Sequence, residues 1–336
     1  MIRIEENHYL FFLNTWMKRK GQVEFSTGLA MDVLIVGSIA YDSVASPSGH
    51  VKDALGGSAT YAGLACSFHA KRLSLEQVGL VGVVGEDFAE KDRSLLNDYG
   101  LDLRGIETAE GETFRWAGSY HGTMAEAQTH ETHLNVFEHF EPKVPTSHQS
   151  PQITFCANLH PALQASVLQQ ATPQRLSMLD SMNLWIDIAR DSLIEVMQKV
   201  DLIIINDGEV RMLADDENLI RAARKVIKMI GVQTLVVKRG EHGVITFHGS
   251  DIISLPAFPT DKVVDPTGCG DTFAGSIAAH LASGSGSLGR DELRQALLAA
   301  TVSASFTLES FGIEGLHSMT EELFNQRLSQ FRQMLS

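Results

Sequence analysis

The segment 265–275, with the sequence DPTGCGDTFAG, combines residue types that could together transfer a phosphoryl group. From Phe273 onward, apolar residues recur at helical spacing until Gly284, so a helix is predicted to begin near the small residues. The turn at 268–270 would point unpaired backbone N–H groups outward and form an anion site. Asp271 would repel that anion, but it could accept the proton of a hydroxyl group attacking it. Phosphoryl transfer requires both functions.

This segment resembles the C-terminal signature of the PfkB/ribokinase family of carbohydrate and nucleoside kinases. The resemblance implies that Gly268, Cys269 and Gly270 form the anion hole and that Asp271 is the catalytic base. The structural alternative is that Asp271 caps a helix and the glycines only make a turn. Further motifs of the family follow in the expected order over about residues 31–316, and they favour the catalytic interpretation.

Two further motifs are predicted to bind the phosphoryl acceptor. Asp42 follows the first apolar run and matches the family's acceptor-binding Asp, although a turn-forming Asp is the alternative. Gly56 and Gly57 resemble its Gly-Gly motif, where backbone can approach a ligand closely. Tyr61 departs from the Asn of many sugar kinases. Because an aromatic ring could stack on a base, a nucleoside acceptor stays open beside a sugar.

The next motif is predicted to organise the metal ion. Asn206 and Glu209 match the family's Asn-x-x-Glu motif, which the resemblance implies orders water around Mg²⁺. Hard oxygen ligands at a strand end suit Mg²⁺, which keeps several of its waters. The alternative for Glu209 is an ordinary first-turn residue favoured by the helix dipole.

ATP is predicted to lie against the loop that begins at Lys238. The resemblance implies that Gly240 and Gly243 hold the nucleotide phosphates and ribose, with Gly270 of the anion hole also contacting ATP. Lys238 could pair with a phosphate or remain a solvated charge. Adenine is expected between this loop and the helix near 300–303.

Two expectations concern other ions. Asp265 and Thr267 occupy positions at which some family members bind a monovalent cation, so activation by K⁺ is a further expectation. Four histidines of the segment 113–140 have spacings that fit no strong metal site, which favours a solvated face. They are His121, His130, His133 and His139.

The elements that must position these residues are predicted to form an α/β fold. Short, largely apolar runs indicate strands buried on both faces of a parallel sheet, at 33–36, 78–84, 153–156, 184–188, 202–205 and 235–237. Helical patterns lie between many of them, at 60–69, 88–99, 161–170 and 219–230. This alternation predicts a doubly wound, mostly parallel sheet with helices on both faces, as in the ribokinase-like fold.

Two segments break the alternation and are expected to form a small β lid. They span about 43–55 and 106–141 and contain alternating polar and apolar residues typical of hairpins. A lid would close over the acceptor and exclude water, whereas the alternative is a pair of static surface hairpins. Exposed edges of lid strands could also pair two subunits, so a homodimer is plausible.

Composition excludes several function classes. The chain has 336 residues with a net charge of −14, and no basic stripe is available for nucleic acid. No apolar run approaches a membrane span. The three cysteines, Cys66, Cys156 and Cys269, fit neither a disulfide framework nor a CxxC metal site, which favours a reducing cytoplasm. Cys269, at a predicted helix start, is expected to have a lowered pKa and to be the most reactive.

The ends of the chain are predicted to lie outside the catalytic core. Residues 1–30 are expected to be a flexible arm or the product of an upstream start, with no assigned function. The kinase domain is expected over 31–316, followed by a C-terminal helix over 317–336 that packs on the same domain. Ser318 and Glu321 are predicted to form its capping box.

These features predict an ATP-dependent kinase that phosphorylates a hydroxymethyl group of a sugar, with ATP and Mg²⁺ as its requirements. A purine nucleoside kinase is the alternative with the same chemistry. A non-catalytic sugar or nucleotide sensor is the alternative from another class, although a sensor needs no base at Asp271. A dehydrogenase is excluded because the turn 37–42 lacks the dinucleotide-binding GxGxxG pattern.

Overall fold

A computed structural model describes residues 30–336, so the extension expected over 1–30 lies almost wholly outside the described residues. The strands of the described chain are β1 (Val33–Val36), β2 (Ala40–Ser46), β3 (Gly49–Gly56), β4 (Val78–Gly85), β5 (Leu101–Ala109), β6 (Phe114–Tyr120), β7 (Ala127–His133), β8 (Ile153–Cys156), β9 (Leu176–Asp180), β10 (Leu202–Asn206), β11 (Thr234–Lys238), β12 (Val244–His248) and β13 (Asp251–Leu255).

The helices surround this framework. They are α1 (Ser58–Leu73), α2 (Glu90–Asp98), α3 (Pro161–Gln170), α4 (Asn183–Ile188), α5 (Arg190–Met197), α6 (Asp207–Ala214), α7 (Leu219–Ile230), α8 (Cys269–Ala282), α9 (Arg290–Leu308), α10 (Glu314–His317) and α11 (Glu321–Met334). Short 3₁₀ turns lie at Asn135–His139, Thr146–His148 and Gly240–His242.

Nine of the strands form one twisted sheet in the order β13-β12-β11-β10-β9-β8-β1-β4-β5. The seven strands from β11 to β5 run parallel, and β12 and β13 extend the β11 edge in antiparallel fashion. All residues of β1, β4 and β8 are buried, because helices cover both faces of the sheet. The predicted ribokinase-like α/β fold class is therefore confirmed.

One predicted strand is wrong. Residues 184–188 belong to helix α4, where Leu184 is 41% and Ile188 is 66% exposed. The true strand is β9, which precedes α4 and ends at Asp180. A short apolar run cannot by itself separate a strand from a helix turn, and the polar residues Ser177 and Asp180 obscured the real strand.

The other four strands, β3-β2-β6-β7, form a separate small sheet that lies within and beside the segments predicted as a lid. Its inner face carries an apolar cluster of Val44, Tyr120 and Met124, against which Trp116 and Phe311 pack. Phe311 comes from the connection after α9, so this small sheet rests on the main domain.

Close packing of two helices fixes the position of the proposed anion site. Helix α8 lies against α1, and a β-carbon on Gly275 would collide with the backbone of Ala62. Because no side chain separates the two backbones at Gly275, the helices pack closely there, and this contact holds the first turn of α8 near the first turn of α1.

The C-terminal helix α11 packs on the same core through Phe324 and Phe331, both fully buried. Its predicted capping box is wrong, since the N-cap is Thr320, whose side chain accepts a hydrogen bond from Leu323 N–H at 3.2 Å. No helix among residues 30–336 is both long and apolar enough to span a bilayer.

Candidate active site

The predicted anion hole lies at the first turn of α8. Gly268 is the N-cap residue with φ of 76°, a left-handed conformation that favours glycine. A β-carbon on Gly268 would collide with the ring of Tyr61. The Cys269 N–H already donates to Pro266 O at 3.1 Å, so this donor is turned into the loop. Within the described chain, the N–H groups of Gly268 and Gly270 have no backbone partner and remain for an anion, whereas the Asp271 N–H is hydrogen-bonded to the carboxyl group of its own residue.

Asp271 stands in this first turn with an unusual pKa. Burial of its carboxyl and the nearby charge of Asp180 raise the pKa from 3.8 to about 7, while Lys238 acts in the opposite direction. A general base is most effective when its pKa lies near the working pH. The surroundings of Asp271 therefore suit proton abstraction at neutral pH.

A second buried carboxylate, Asp42 on β2, lies close to the first. Burial raises its pKa to about 7, the Gly57 N–H lowers it, and the charges of Asp265 and Asp271 raise it further. The structure thus brings together the predicted acceptor residue and the predicted base. Gly56 makes room for this carboxylate, because a β-carbon there would collide with Asp42 Oδ2.

Tyr61 does not lie in the orientation that base stacking requires. The side chain is 1% exposed, and its ring is covered by Gly268. Among the described residues its hydroxyl has no hydrogen-bond partner. Burial, followed by the charges of Asp42 and Asp265, raises its pKa well above the usual value. The ring packs directly against Gly268 of the anion-hole turn, so it is not available to stack on a base, contrary to the expectation from the sequence.

Asn206 and Glu209 form a reciprocal capping box at the start of α6. Glu209 N–H donates to Asn206 Oδ1 at 2.8 Å, while Asn206 donates to the two Glu209 oxygens at 2.9 and 2.6 Å. Burial raises the pKa of Glu209 to about 8. Each carboxylate oxygen keeps a second lone pair, so the pair fits a hydrated Mg²⁺ better than direct ligation. Residues 30–336 contain no cluster of three metal-ligating side chains.

Lys238 is held by a residue that the sequence interpretation missed. At the end of β11, the Lys238 Nζ donates to Asp180 Oδ2 at 2.7 Å. Asp180 is the last residue of β9, which β10 separates from β11 in the sheet. A β-carbon on Gly270 would lie 3.1 Å from Lys238 Nζ, so the ammonium group faces the anion hole. The place of Asp180 at the end of the largely apolar run of β9 could have identified it. The sequence interpretation put the strand at 184–188 instead and so overlooked this run.

The predicted nucleotide loop connects β11 to β12. Gly240 begins a 3₁₀ turn with φ of 52°, and Gly243 has φ of 79°. Arg239 N–H donates to Gly243 O at 2.8 Å, which closes the turn. A β-carbon on Gly243 would collide with the backbone that follows β13. Gly243 is thus required by the backbone, whereas Gly240 has a left-handed conformation with open space around it, whether or not either residue also contacts ATP.

Asp265 and Thr267 connect the anion-hole turn to its neighbours. Asp265 accepts hydrogen bonds from Thr267 N–H at 2.9 Å and Gly312 N–H at 3.3 Å. The Thr267 hydroxyl donates to the Tyr120 hydroxyl at 3.2 Å, and Tyr120 belongs to β6 of the small sheet. The small sheet therefore touches the loop that leads into α8.

The predicted lowering of the Cys269 pKa is wrong, whereas its greater reactivity among the three cysteines stays a prediction. Burial of its thiol raises its pKa, and the charges of Asp265 and Asp271 raise it further. Its Sγ donates to Ala304 O at 3.6 Å. The positive end of a helix dipole acts as a partial charge, which these two carboxylates and desolvation outweigh. All three cysteines of the chain are free thiols.

A doubly wound sheet, a separate small β sheet and a Gly-rich helix start that carries an aspartate together have the arrangement of a kinase with the ribokinase-like fold. The model of the pfkB family of carbohydrate kinases matches residues 30–317, so the chain belongs to that family. It is accordingly a phosphotransferase.

Known relatives include both nucleoside and sugar kinases. A cytidine kinase from Thermococcus kodakarensis is 28% identical over 76% of this chain and 90% of its own length. A Burkholderia thailandensis nucleoside kinase in complex with inosine superimposes with a TM-score of 0.71 at 19% identity, covering 89% of this chain and 97% of that one. An E. coli protein described as a ribokinase II, in complex with ATP and Mg²⁺, gives a TM-score of 0.71 at 20% identity over 89% of this chain and 100% of that one.

Proposed function

We propose that the protein transfers the γ-phosphoryl group of ATP to a hydroxymethyl group on a sugar or on the sugar moiety of a nucleoside. The observation that carries this proposal is the position of Asp271. It lies in the first turn of α8, beside N–H donors for an anion, and has a pKa raised to about 7. Family membership supports the same reaction class.

In the proposed reaction, Asp42 orients the acceptor, and the Gly57 N–H holds the Asp42 carboxyl in place. Asp271 takes the proton of the acceptor hydroxyl, and the Gly268 and Gly270 N–H groups stabilise the charge on the phosphoryl group. Lys238, Gly240 and Gly243 bind the nucleotide. A hydrated Mg²⁺ held through Asn206 and Glu209 would neutralise charge on the phosphates when bound.

A nucleoside is the second candidate acceptor, and one structural observation favours it. The half-buried ring of Trp116 lies on the face of the small sheet that carries Asp42, since the two residues are opposite each other in the register of β2 and β6. An apolar and aromatic surface beside a carboxylate suits a ligand with hydroxyls at one end and a planar base at the other. The cytidine kinase relative is consistent with this candidate.

The test is ADP release with Mg-ATP against a panel of sugars, sugar phosphates and nucleosides. We expect turnover on at least one unphosphorylated acceptor and its loss in Asp271→Asn. Binding of ATP or a sugar with no turnover on any acceptor would instead support the sensor interpretation.

Two secondary proposals concern K⁺ and self-association. We propose that Asp265 and Thr267 contribute oxygens to a K⁺ site, which predicts higher turnover in KCl than in choline chloride at equal ionic strength.

We also propose a homodimer through β7, an edge strand whose residues are all exposed. A monomeric sedimentation coefficient at micromolar concentration would contradict the dimer.

A further inference from the structure

Asp180 and Lys238 form an ion pair inside the proposed active site. The pair is short, 2.7 Å, and the side chains are only 4% and 20% exposed. Two more carboxylates, Glu209 and Asp271, lie close enough to raise the pKa of the Lys238 ammonium together with Asp180. The lysine is therefore the cation shared by three acidic groups.

Stability alone gives a weak reason for such a pair. Removing two charges from water costs several kcal/mol, and a hydrophobic pair of similar volume is often as stable. The position of the ammonium offers another reason. It faces Gly270, where any larger side chain would press against Nζ. An ammonium has three N–H donors, and the bond to Asp180 uses one of them, which leaves two for oxygens of a ligand.

We propose that Asp180 is a positioning residue that aims Lys238, across from Gly270, at the transferring γ-phosphoryl group. This inference rests on the proposed kinase function. Lys238 contacts the phosphoryl oxygens, whereas Asp180 acts only through Lys238 and through its own charge.

The charged groups around Asp271 come from several elements. Asp180 ends β9, Lys238 ends β11, Glu209 begins α6, Asp42 lies on β2, and Asp265 precedes α8. The negative charge of Asp180 raises the pKa of Asp271, and the positive charge of Lys238 lowers it. Removal of either charge must therefore shift the titration of the base, in opposite directions.

The first test measures the acid limb of the profile of kcat/KM against pH. Asp180→Asn should move this limb to lower pH and Lys238→Met to higher pH, each by about one pH unit. The double variant should return the limb close to that of the unmodified protein. A pair that serves only the fold would lower the unfolding temperature of both single variants but leave the limb in place.

A matched control is the pair Arg175–Glu292, which has the same 2.7 Å distance and lies outside the proposed site. Glu292→Gln should lower stability without a shift of the limb. A similar shift in Glu292→Gln, or shifts of the same sign in Asp180→Asn and Lys238→Met, would overturn the inference.

The second test needs no acceptor and no turnover. Calorimetry should show that Lys238→Met weakens binding of Mg²⁺ with a non-hydrolysable β,γ-imido analogue of ATP by about tenfold or more, since charge-assisted hydrogen bonds are lost. Affinity for ADP should change by less than about twofold, because ADP lacks the γ-phosphoryl group. Equal losses for both nucleotides, or no loss for either, would contradict the role of Lys238.

The two proposals can fail separately. If a single variant does not fold, the nucleotide selectivity is measured in the double variant, which also lacks the lysine but removes both members of the ion pair. Turnover that depends on Asp271, without opposite shifts or nucleotide selectivity, would leave the kinase proposal intact and refute the role of the pair. Absence of nucleotide binding by the unmodified protein would contradict both.

Discussion

At the residue scale, the active site depends on carboxylates held at raised pKa. Burial raises the pKa of Asp42 and the pKa of Asp271 to about 7, so each carboxyl group can exchange a proton near neutral pH. Sequence alone predicted both residues, because each follows a recognisable motif. It did not predict Asp180, and it misjudged the pKa of Cys269, because burial and neighbouring charges depend on segments far apart in the chain.

The raised pKa of Asp271 has a consequence for stability. Its folded-state pKa of about 7 exceeds the ordinary 3.8, so the folded protein binds the proton more tightly than the unfolded chain. This contribution to stability is complete below pH 3.8 and is lost as pH rises through about 7. We therefore expect Asp271→Asn to raise the unfolding temperature at pH 8 more than at pH 4, measured by calorimetry. Equal effects at the two pH values would contradict the raised pKa.

Gly268 provides a second residue-scale prediction. Gly268→Ala should lower turnover by at least about tenfold, because the new methyl group would displace the Tyr61 ring and the anion-hole turn. Gly286→Ala is the matched control, since Gly286 also has positive φ, 68°, but open space around it. The control should lose about 1 kcal/mol of stability and keep its activity. Steady-state kinetics distinguish the two, and equal kinetics in both variants would argue against the tight turn.

At the element scale, the helices and parallel strands were largely predictable and the small sheet less so. Buried strands such as β1 and β8 consist almost entirely of apolar residues, as expected for a parallel sheet covered on both faces. Residues 184–188 show the limit of this signal, since a largely apolar run there forms helix α4. Contacts between the small sheet and the main domain, such as Tyr120 with Thr267, leave no trace in local sequence patterns.

The Tyr120–Thr267 bond links the small sheet to the anion-hole loop and yields a prediction for closure. Tyr120→Phe should raise KM for the acceptor several-fold and increase ATP hydrolysis without acceptor, because a loosened lid admits water. Tyr99→Phe is a suitable control, since its hydroxyl contacts His317 at 3.3 Å outside the site. Unchanged hydrolysis and KM in Tyr120→Phe would indicate a static sheet with no role in closure.

At the scale of the whole molecule, the parallel sheet brings distant motifs to one edge. Strands β9, β10 and β11 end in Asp180, Asn206 and Lys238, and α8 begins beside them. Ligands of doubly wound sheets bind at the carboxyl ends of the strands, so the fold class and the location of the site follow from one topology. The proposed acceptor site also involves side chains of the small sheet, whose packing the sequence did not predict.

The most direct test of the account is ADP release by the unmodified protein and by Asp271→Asn, measured with Mg-ATP and the acceptor panel. We expect turnover on a sugar or nucleoside that bears a free hydroxymethyl group, and a decrease of about 10²–10⁴ in the variant with ATP affinity retained. Turnover by Asp271→Asn close to that of the unmodified protein would contradict the assignment of Asp271 as the base.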